Sequence, residues 1–461
     1  MTDDYFPMNR KSIFLAAALV SMTMVPSCNE TEQRMIDPIS EAIAQVSQDS
    51  ITSYINTLVG FHTRHTQSTQ TDPNVGIGAA VNYLSDLCTK WTTTPQAPGS
   101  EGRGINLPKA KVEVLHCEAG RPQDKMDRAL QIPNVMVTLP GTEGSKEIIL
   151  MAHIDTRVND LADSTTFAPG ANDDGSGLSL LLEAVRILSQ TPMRQTVKCL
   201  FVSGEEQNLI GSSFFAQKAV DEDWPVLAVL NNDMIGNAEA SGTGLHGTDK
   251  VRVFSDSPSG EDSAPRQLAR YIKETAEQYV PGHEVKLIYR NDRYRRGGDH
   301  SSFLNKGFTA VRISEYYENY DRTHQVVRNE DGIAYGDVIS GVDIPYLEKN
   351  IKVNLAAVMN LAMAPSTPTG ARIANANALA NTTILEWDPV TLKDGSLESG
   401  VTYEILIRET DQSEWEVYEK APAATSLEKQ SIELGISKDN YFYAVRSVSA
   451  DGHPSLPAVC R

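Results

Sequence analysis

An α/β three-layer sandwich with a mostly parallel central sheet, followed by a C-terminal antiparallel β-sandwich, is predicted by three observations. Apolar runs of strand length alternate with segments of helical periodicity between Lys111 and Met363. Several of those runs are apolar without interruption, as strands covered on both faces are. Beyond a Pro/Thr-rich stretch, Pro365 to Gly370, the pattern changes to short alternating strands separated by turn residues.

The elements follow in order. Arg10 and Lys11 precede an apolar run, Ile13 to Pro26, that is too short to span a bilayer, so residues 1–28 read as an export signal, with Met8 as an alternative start. Val25-Pro26-Ser27-Cys28 resembles a bacterial lipobox, whose cysteine is lipidated and becomes the mature N-terminus; a plain cleaved signal is the alternative. Both predict an exported protein, periplasmic, at the cell surface, or attached to the outer membrane through Cys28.

From Ile36 to Trp91 the apolar spacing is helical, with Val59, Phe61 and Tyr83 among the larger residues. Strands are expected at Lys111–Leu115, Asn134–Leu139, Ile148–Ala152, Val197–Val202, Val226–Leu230, Val285–Tyr289 and Phe308–Ile313. Leu178, Leu181, Leu182, Val185 and Leu188 predict an amphipathic helix crossing over the sheet. Leu268, Ile272 and Ala276 predict a second helix, and Tyr346 to Met363 a third. The first folded unit is placed at residues 29–365 and the second at 366–461. In the second unit strands are expected at Thr383–Trp387, Thr402–Arg408, Glu414–Tyr418 and Tyr441–Val448. Trp387 and the run from Tyr441 to Val448 ahead of Asp451-Gly452 resemble a fibronectin type III domain.

The chain's 461 residues carry 60 acidic against 41 basic side chains, a net charge of -19, so the attraction for phosphate that drives nucleic-acid binding is absent. With Cys28 set aside, Cys88, Cys117, Cys199 and Cys460 form an even set in an oxidising compartment, where disulfides persist; their spacing leaves the pairing open. None has paired C-x-x-C spacing, so no structural metal is assigned to them.

The chemistry gathers after successive apolar runs: His153 and Asp155 after the third, Glu205 and Glu206 after the fourth, Asp233 after the fifth. In open α/β sheets ligands bind at these strand ends. Between the first two lies Gly170-Ala171-Asn172-Asp173-Asp174-Gly175-Ser176-Gly177, a glycine-rich acidic loop just before the crossover helix. Its glycines let the backbone approach an ion, and Asp173 has an oxygen for each of two metals. A lone His-x-Asp or Glu-Glu is ordinarily a satisfied pair or a solvated corner. Gathered at adjacent strand ends, these carboxylates repel one another unless a cation compensates.

The strings Ala152-His153-Ile154-Asp155, Gly170 to Gly177, Gly204-Glu205-Glu206-Gln207-Asn208-Leu209-Ile210-Gly211-Ser212 and Asn232-Asp233-Met234-Ile235-Gly236 resemble metallopeptidase family twenty-eight. The resemblance spans Ile36 to Pro365. It implies two zinc ions held by His153, Asp173 and Asp233 on one side and by Asp173, Glu206 and a distal histidine on the other. His324 stands at the distal place, ahead of its rival His300, which resembles the family's pocket-wall segment. By the same resemblance Asp155 orients His153, and Glu205 is the general base, moving a proton from the attacking water to the leaving amine.

The resemblance favours an aminopeptidase acting on peptides or proteins. Its alternatives are a carboxypeptidase, a glutaminyl cyclase-like transferase and a non-catalytic surface binding protein. A tyrosine that one branch of the family carries before the last ligand is replaced here by Thr323, leaving Tyr317 and Tyr320 as candidates for stabilising an oxyanion. Arg293-Tyr294-Arg295-Arg296 is either a contact for a substrate carboxylate or a solvated basic loop.

Overall fold

The sheet that organises the molecule is built from the apolar runs. In the computed structural model, which describes residues 37–93 and 107–461, three helices come first: α1 (Pro38–Ile43), α2 (Gln48–Gly60) and α3 (Gly76–Thr93). Then follow β1 (Lys111–Ala119), β2 (Leu130–Leu139), β3 (Glu147–His153), α4 (Gly175–Leu188), β4 (Thr196–Val202), α5 (Ile210–Asp221) and β5 (Val226–Asn232). Next come β6 (Lys250–Ser255), α6 (Ala264–Tyr279), β7 (Glu284–Ile288), α7 (His300–Leu304) and β8 (Ala310–Glu315). A small hairpin, β9 (Arg328–Glu330) and β10 (Ile333–Tyr335), precedes the long helix α8 (Ile344–Met363). The export signal and Cys28 lie outside the described residues. Among the described residues no helix is long and apolar enough to cross a membrane.

Eight strands form one sheet in the order β1-β2-β4-β3-β5-β8-β6-β7. The central strands β4, β3, β5 and β8 run parallel, whereas β1–β2, β2–β4 and β8–β6 pair antiparallel. Alternation along β3 explains its unbroken apolar sequence. Ile148, Leu150 and Ala152 join a core with α4 and α8, while Ile149 and Met151 join a second core on the other face, with Phe215 of α5 and Phe303 of α7. Each large side chain buried this way contributes about 1.5–3 kcal/mol over leaving it in water. The crossover helix α4 starts where Asp174 caps it, its carboxylate accepting the N–H of Gly177.

Beyond α8 the chain forms β11 (Thr369–Ile373), β12 (Thr383–Asp388), β13 (Thr402–Glu409), β14 (Glu416–Ala421), β15 (Gln430–Leu434), β16 (Tyr441–Val448) and β17 (Ala458–Cys460). They make two antiparallel sheets, β11-β12-β15 and β14-β13-β16-β17. Trp387 and Tyr403 lie between them with ring centroids 5.4 Å apart, in a core with Ile405, Tyr443 and Val445. This module packs on α6. Arg446 reaches Glu274 at 2.7 Å, Arg408 reaches Asp262 at 2.8 Å, and the Trp415 indole donates to Gln267 at 2.7 Å. Residues Asp37–Arg461 form one compact unit.

Cys88, Cys117, Cys199 and Cys460 are all free and buried, which corrects the expectation of a disulfide set. They sit on α3, β1, β4 and β17, where each behaves as a small apolar side chain.

Candidate metal centre

The parallel strands deliver their carboxyl ends to one place. His153 ends β3, Asp233 follows β5, and Glu205 and Glu206 follow β4 by a turn through Ser203-Gly204. The loop before α4 brings Asp173 between them. Its two carboxylate oxygens face different imidazoles: Oδ1 lies 3.0 Å from Nε2 of His153, and Oδ2 lies 2.9 Å from Nε2 of His324. Oδ1 of Asp233 is 4.0 Å from Nε2 of His153, and Oε1 of Glu206 is 2.7 Å from Nε2 of His324. Two groups result, His153–Asp173–Asp233 and Asp173–Glu206–His324, with ligand atoms within 4.8 Å of one another in each.

Those separations suit a small divalent ion. Tetrahedral ligands about 2.1 Å from zinc stand about 3.4 Å apart, and the observed spacings bracket that value. The electrostatics agree. Burial disfavours a charged imidazole, yet Glu206 and Asp173 lift His324 to about 10. A centre that draws so strongly on a proton is built to hold added positive charge. Burial raises the Glu205 carboxyl well above its ordinary value, and the neighbouring Glu206 carboxylate raises it further.

The support beneath these groups is specific. Asp155 takes His153 Nδ1 on its backbone carbonyl at 3.0 Å, while its carboxylate stands 3.7 Å from that nitrogen. The carboxylate instead accepts the N–H groups of Gly204, Glu205 and Glu206 at 2.8, 3.2 and 3.1 Å. Burial alone would raise Asp155, but His153 and these donors hold it below the usual range. Its carboxylate therefore positions the Glu205-Glu206 turn more directly than it orients the His153 ring.

The glycines of the acidic loop serve packing as well as approach. A Cβ at Gly170, whose φ is +53°, would lie 2.1 Å from Thr156 Cγ2, and one at Gly177 would lie 2.5 Å from the capping Asp174 carboxylate. That same carboxylate accepts the His153 N–H at 3.1 Å, so Asp174 ties β3 to α4.

His300 is elsewhere. It opens α7, fully buried, with Nε2 2.9 Å from the Asn291 carbonyl, and burial pushes it down to about 4. Neither Tyr317 nor Tyr320 lines the cavity around the metal-ligand candidates. Tyr317 stacks edge-on against Tyr316, and Tyr320 is 58% exposed. Arg293 and Arg296 do line that cavity, with Lys125 and Arg157, in a volume of about 330 Å³.

Four groups escape a reading of sequence. Arg157 donates from Nε to Oε2 of Glu206 at 2.6 Å, leaving Oε1 toward His324. Arg312, on β8, lies 3.0 Å from Oδ1 of Asp233. Asp337 accepts the N–H of Asp173 at 2.7 Å. Arg64, fully buried, donates to the carbonyls of Ile154, Pro169 and Gly170. Arg157 alone had a signal, since it stands two residues after Asp155.

A cluster of paired carboxylates and imidazoles at the carboxyl ends of a parallel sheet defines a metal-binding α/β protein. Comparison with known proteins makes that class specific. Residues 134–338 match the model of peptidase family M28. A probable zinc metalloprotease of Leptosphaeria maculans is 34% identical over 440 residues, covering 92% of this chain and 96% of its own. Another, from Pyricularia oryzae, is 35% identical over 439 residues, 90% of this chain and 83% of its own. The Legionella pneumophila LapA aminopeptidase has a similar fold, with a TM-score of 0.52 and 19% identity over 70% of this chain and 74% of that one. The chain belongs to peptidase family M28.

Proposed function

We propose that the chain is a zinc-dependent exopeptidase that removes N-terminal residues from peptides, using a pair of zinc ions. The observation that carries this reading is the geometry of Asp173, whose two oxygens each face a separate imidazole. In this assignment His153, Asp173 and Asp233 hold one ion, and Asp173, Glu206 and His324 hold the other. Zinc is the metal in the names of the relatives from Leptosphaeria maculans and Pyricularia oryzae, and the mixed imidazole and carboxylate donors suit it.

Bound there, zinc supplies Lewis-acid polarisation of the scissile carbonyl and makes water acidic enough to attack near neutral pH. The protein does the rest. Glu205, raised by burial, accepts the proton of the attacking water and passes it to the leaving amine nitrogen. Asp155 fixes the backbone of Glu205 and Glu206 through three N–H groups, so the base and its neighbouring ligand keep one geometry. Arg157 holds Glu206 by one oxygen.

The two antiparallel C-terminal sheets support a fibronectin type III-like reading, which we assign to residues 366–461, with the peptidase at 29–365. The basic n-region and lipobox-like string support export and attachment through Cys28.

Two experiments test the reading. Glu205→Gln is expected to bind metal like the parent and lose turnover at least about a hundredfold, the scale of general acid–base catalysis. A panel of free-amine and N-blocked peptides is expected to be cut only where the amine is free. Normal turnover by Glu205→Gln would remove the base assignment, and cleavage confined to N-blocked substrates would replace the aminopeptidase by a carboxypeptidase.

A further inference from the structure

The loop that delivers Asp173 is held by groups that take no part in the reaction just described. Three successive N–H groups point at one residue. That of Ala171 meets the backbone carbonyl of Asp337 at 3.0 Å. That of Asn172 meets the Asp337 carboxylate oxygens at 2.9 and 3.0 Å, and that of Asp173 meets Oδ2 at 2.7 Å. The two carbonyls just before them, those of Pro169 and Gly170, accept from Nη1 and Nη2 of Arg64 at 2.6 and 2.9 Å. Asp337 and Arg64 are both buried, so water competes little for these bonds.

The Asp173 side chain has no such support of its own. Among the described residues its carboxylate meets only the imidazoles of His153 and His324, which are themselves ligand candidates. What aims its two oxygens is therefore the backbone that Asp337 grips. Ligating groups keep a productive geometry only where surrounding hydrogen bonds lock them.

That grip is continuous in the chain with His324. The Gly336 N–H donates to the Asp321 carbonyl at 3.1 Å, which closes a loop whose outer part is the β9–β10 pair. Gly336 has a φ of +102°, and a Cβ there would lie 2.8 Å from the Val327 Cα. Glycine is thus required where the chain closes and turns straight into Asp337. One strap, from His324 to Asp337, supplies a ligand candidate with its first residue and a clamp on the bridging ligand with its last.

We propose that Asp337 is a positioning residue for the bridging carboxylate, and that the strap fixes His324 and Asp173 as a pair, so that the ion they share gains or loses its site as a unit. This rests on the two-zinc reading above. In this assignment Asp337 touches neither ion nor substrate and acts through the backbone of Asp173.

The test measures zinc affinity of the full chain, by competition with a chromogenic chelator, in the parent, Asp337→Asn and Asp337→Ala. Asparagine keeps one acceptor oxygen and turns the other into a donor facing N–H groups. Asp337→Ala is expected to weaken at least one ion by about 10–100-fold, with Asp337→Asn between it and the parent. Unfolding temperatures with saturating zinc and with chelator separate positioning from bulk stability. A residue that only stabilises the fold lowers both alike, whereas lost zinc affinity narrows the gap between them. Parent affinity in both variants, or a gap as wide as the parent's, would overturn the proposal. Should Asp337→Ala fail to fold, Asp337→Asn decides by the same two readings. If the parent holds a single zinc ion, the two-zinc reading fails, and the affinity of Asp337→Asn for that ion still decides: an unchanged value rejects the positioning role.

Discussion

Nη2 of Arg312 lies 3.0 Å from Oδ1 of Asp233, while Nη1 of the same guanidinium lies 3.2 Å from Oδ2 of Asp292, with none of the Arg312 side chain exposed. Burial lowers the proton affinity of such a group, but here Asp233 and Asp292 raise it above its ordinary value, so the charge stays. Removing it leaves buried Asp233 without its guanidinium, while Asp292 keeps only Arg293. Arg312→Met is expected to destabilise the fold by about 3–5 kcal/mol, measured by denaturant unfolding. A loss under about 1 kcal/mol would show that Asp233 does not depend on this guanidinium.

Arg157 acts on Glu206 in a different way, by occupying Oε2 and leaving Oε1 for the cavity. Supporting partners of this kind typically change metal affinity by about 10–100-fold. Arg157→Gln is expected to weaken zinc binding by that range in competition with a chelator. Unaltered affinity would show that Arg157 does not support Glu206 as a ligand.

Asp155→Asn tests the turn that carries Glu205. The carboxylate accepts three N–H groups, and an asparagine turns one acceptor into a donor facing donors. The expected cost is about 1–3 kcal/mol in stability. Displacing the base is also expected to lower kcat by roughly a hundredfold. A variant that keeps kcat while losing stability would make Asp155 purely structural.

His300 gives the protein an acid-side weakness away from the metal-ligand candidates. Burial pushes it from 6.5 down to about 4. Between those pH values the unfolded chain takes up a proton that the folded chain refuses, so stability falls as pH drops from 6.5 toward 4. The full effect is about 3 kcal/mol. Unfolding free energy measured at pH 7 and pH 4.5 is expected to change less in His300→Gln than in the parent, and equal changes would contradict the assignment.

How much of this was legible in sequence depends on what each residue shares with its neighbours. His153 stands out because it closes an unbroken apolar run and Asp233 because it follows one across Asn231-Asn232, and such a run ends where a strand does. β6 was missed because Lys250-Val251-Arg252-Val253 alternates as an exposed strand does, although Arg252 turns its charge toward Glu318. α5 was missed because its first residues, Ile210-Gly211-Ser212, read as the end of the Glu205-Glu206 string. Arg64, Arg312 and Asp337 look like solvated charges in a one-dimensional pattern. Only long-range pairing reveals them as buried supports. The cysteines mislead for the opposite reason, since an even count suggests bridges where the structure has four free, buried thiols.

The central claim concerns a shared ligand, and counting ions tests it most directly. Zinc-saturated protein, freed of loosely bound metal and analysed by mass spectrometry of its elemental content, is expected to hold two ions per chain. Asp173→Ala, which removes both oxygens that face His153 and His324, is expected to hold fewer than one. A saturated parent that stops at one ion per chain, or an Asp173→Ala variant that retains two, would contradict it.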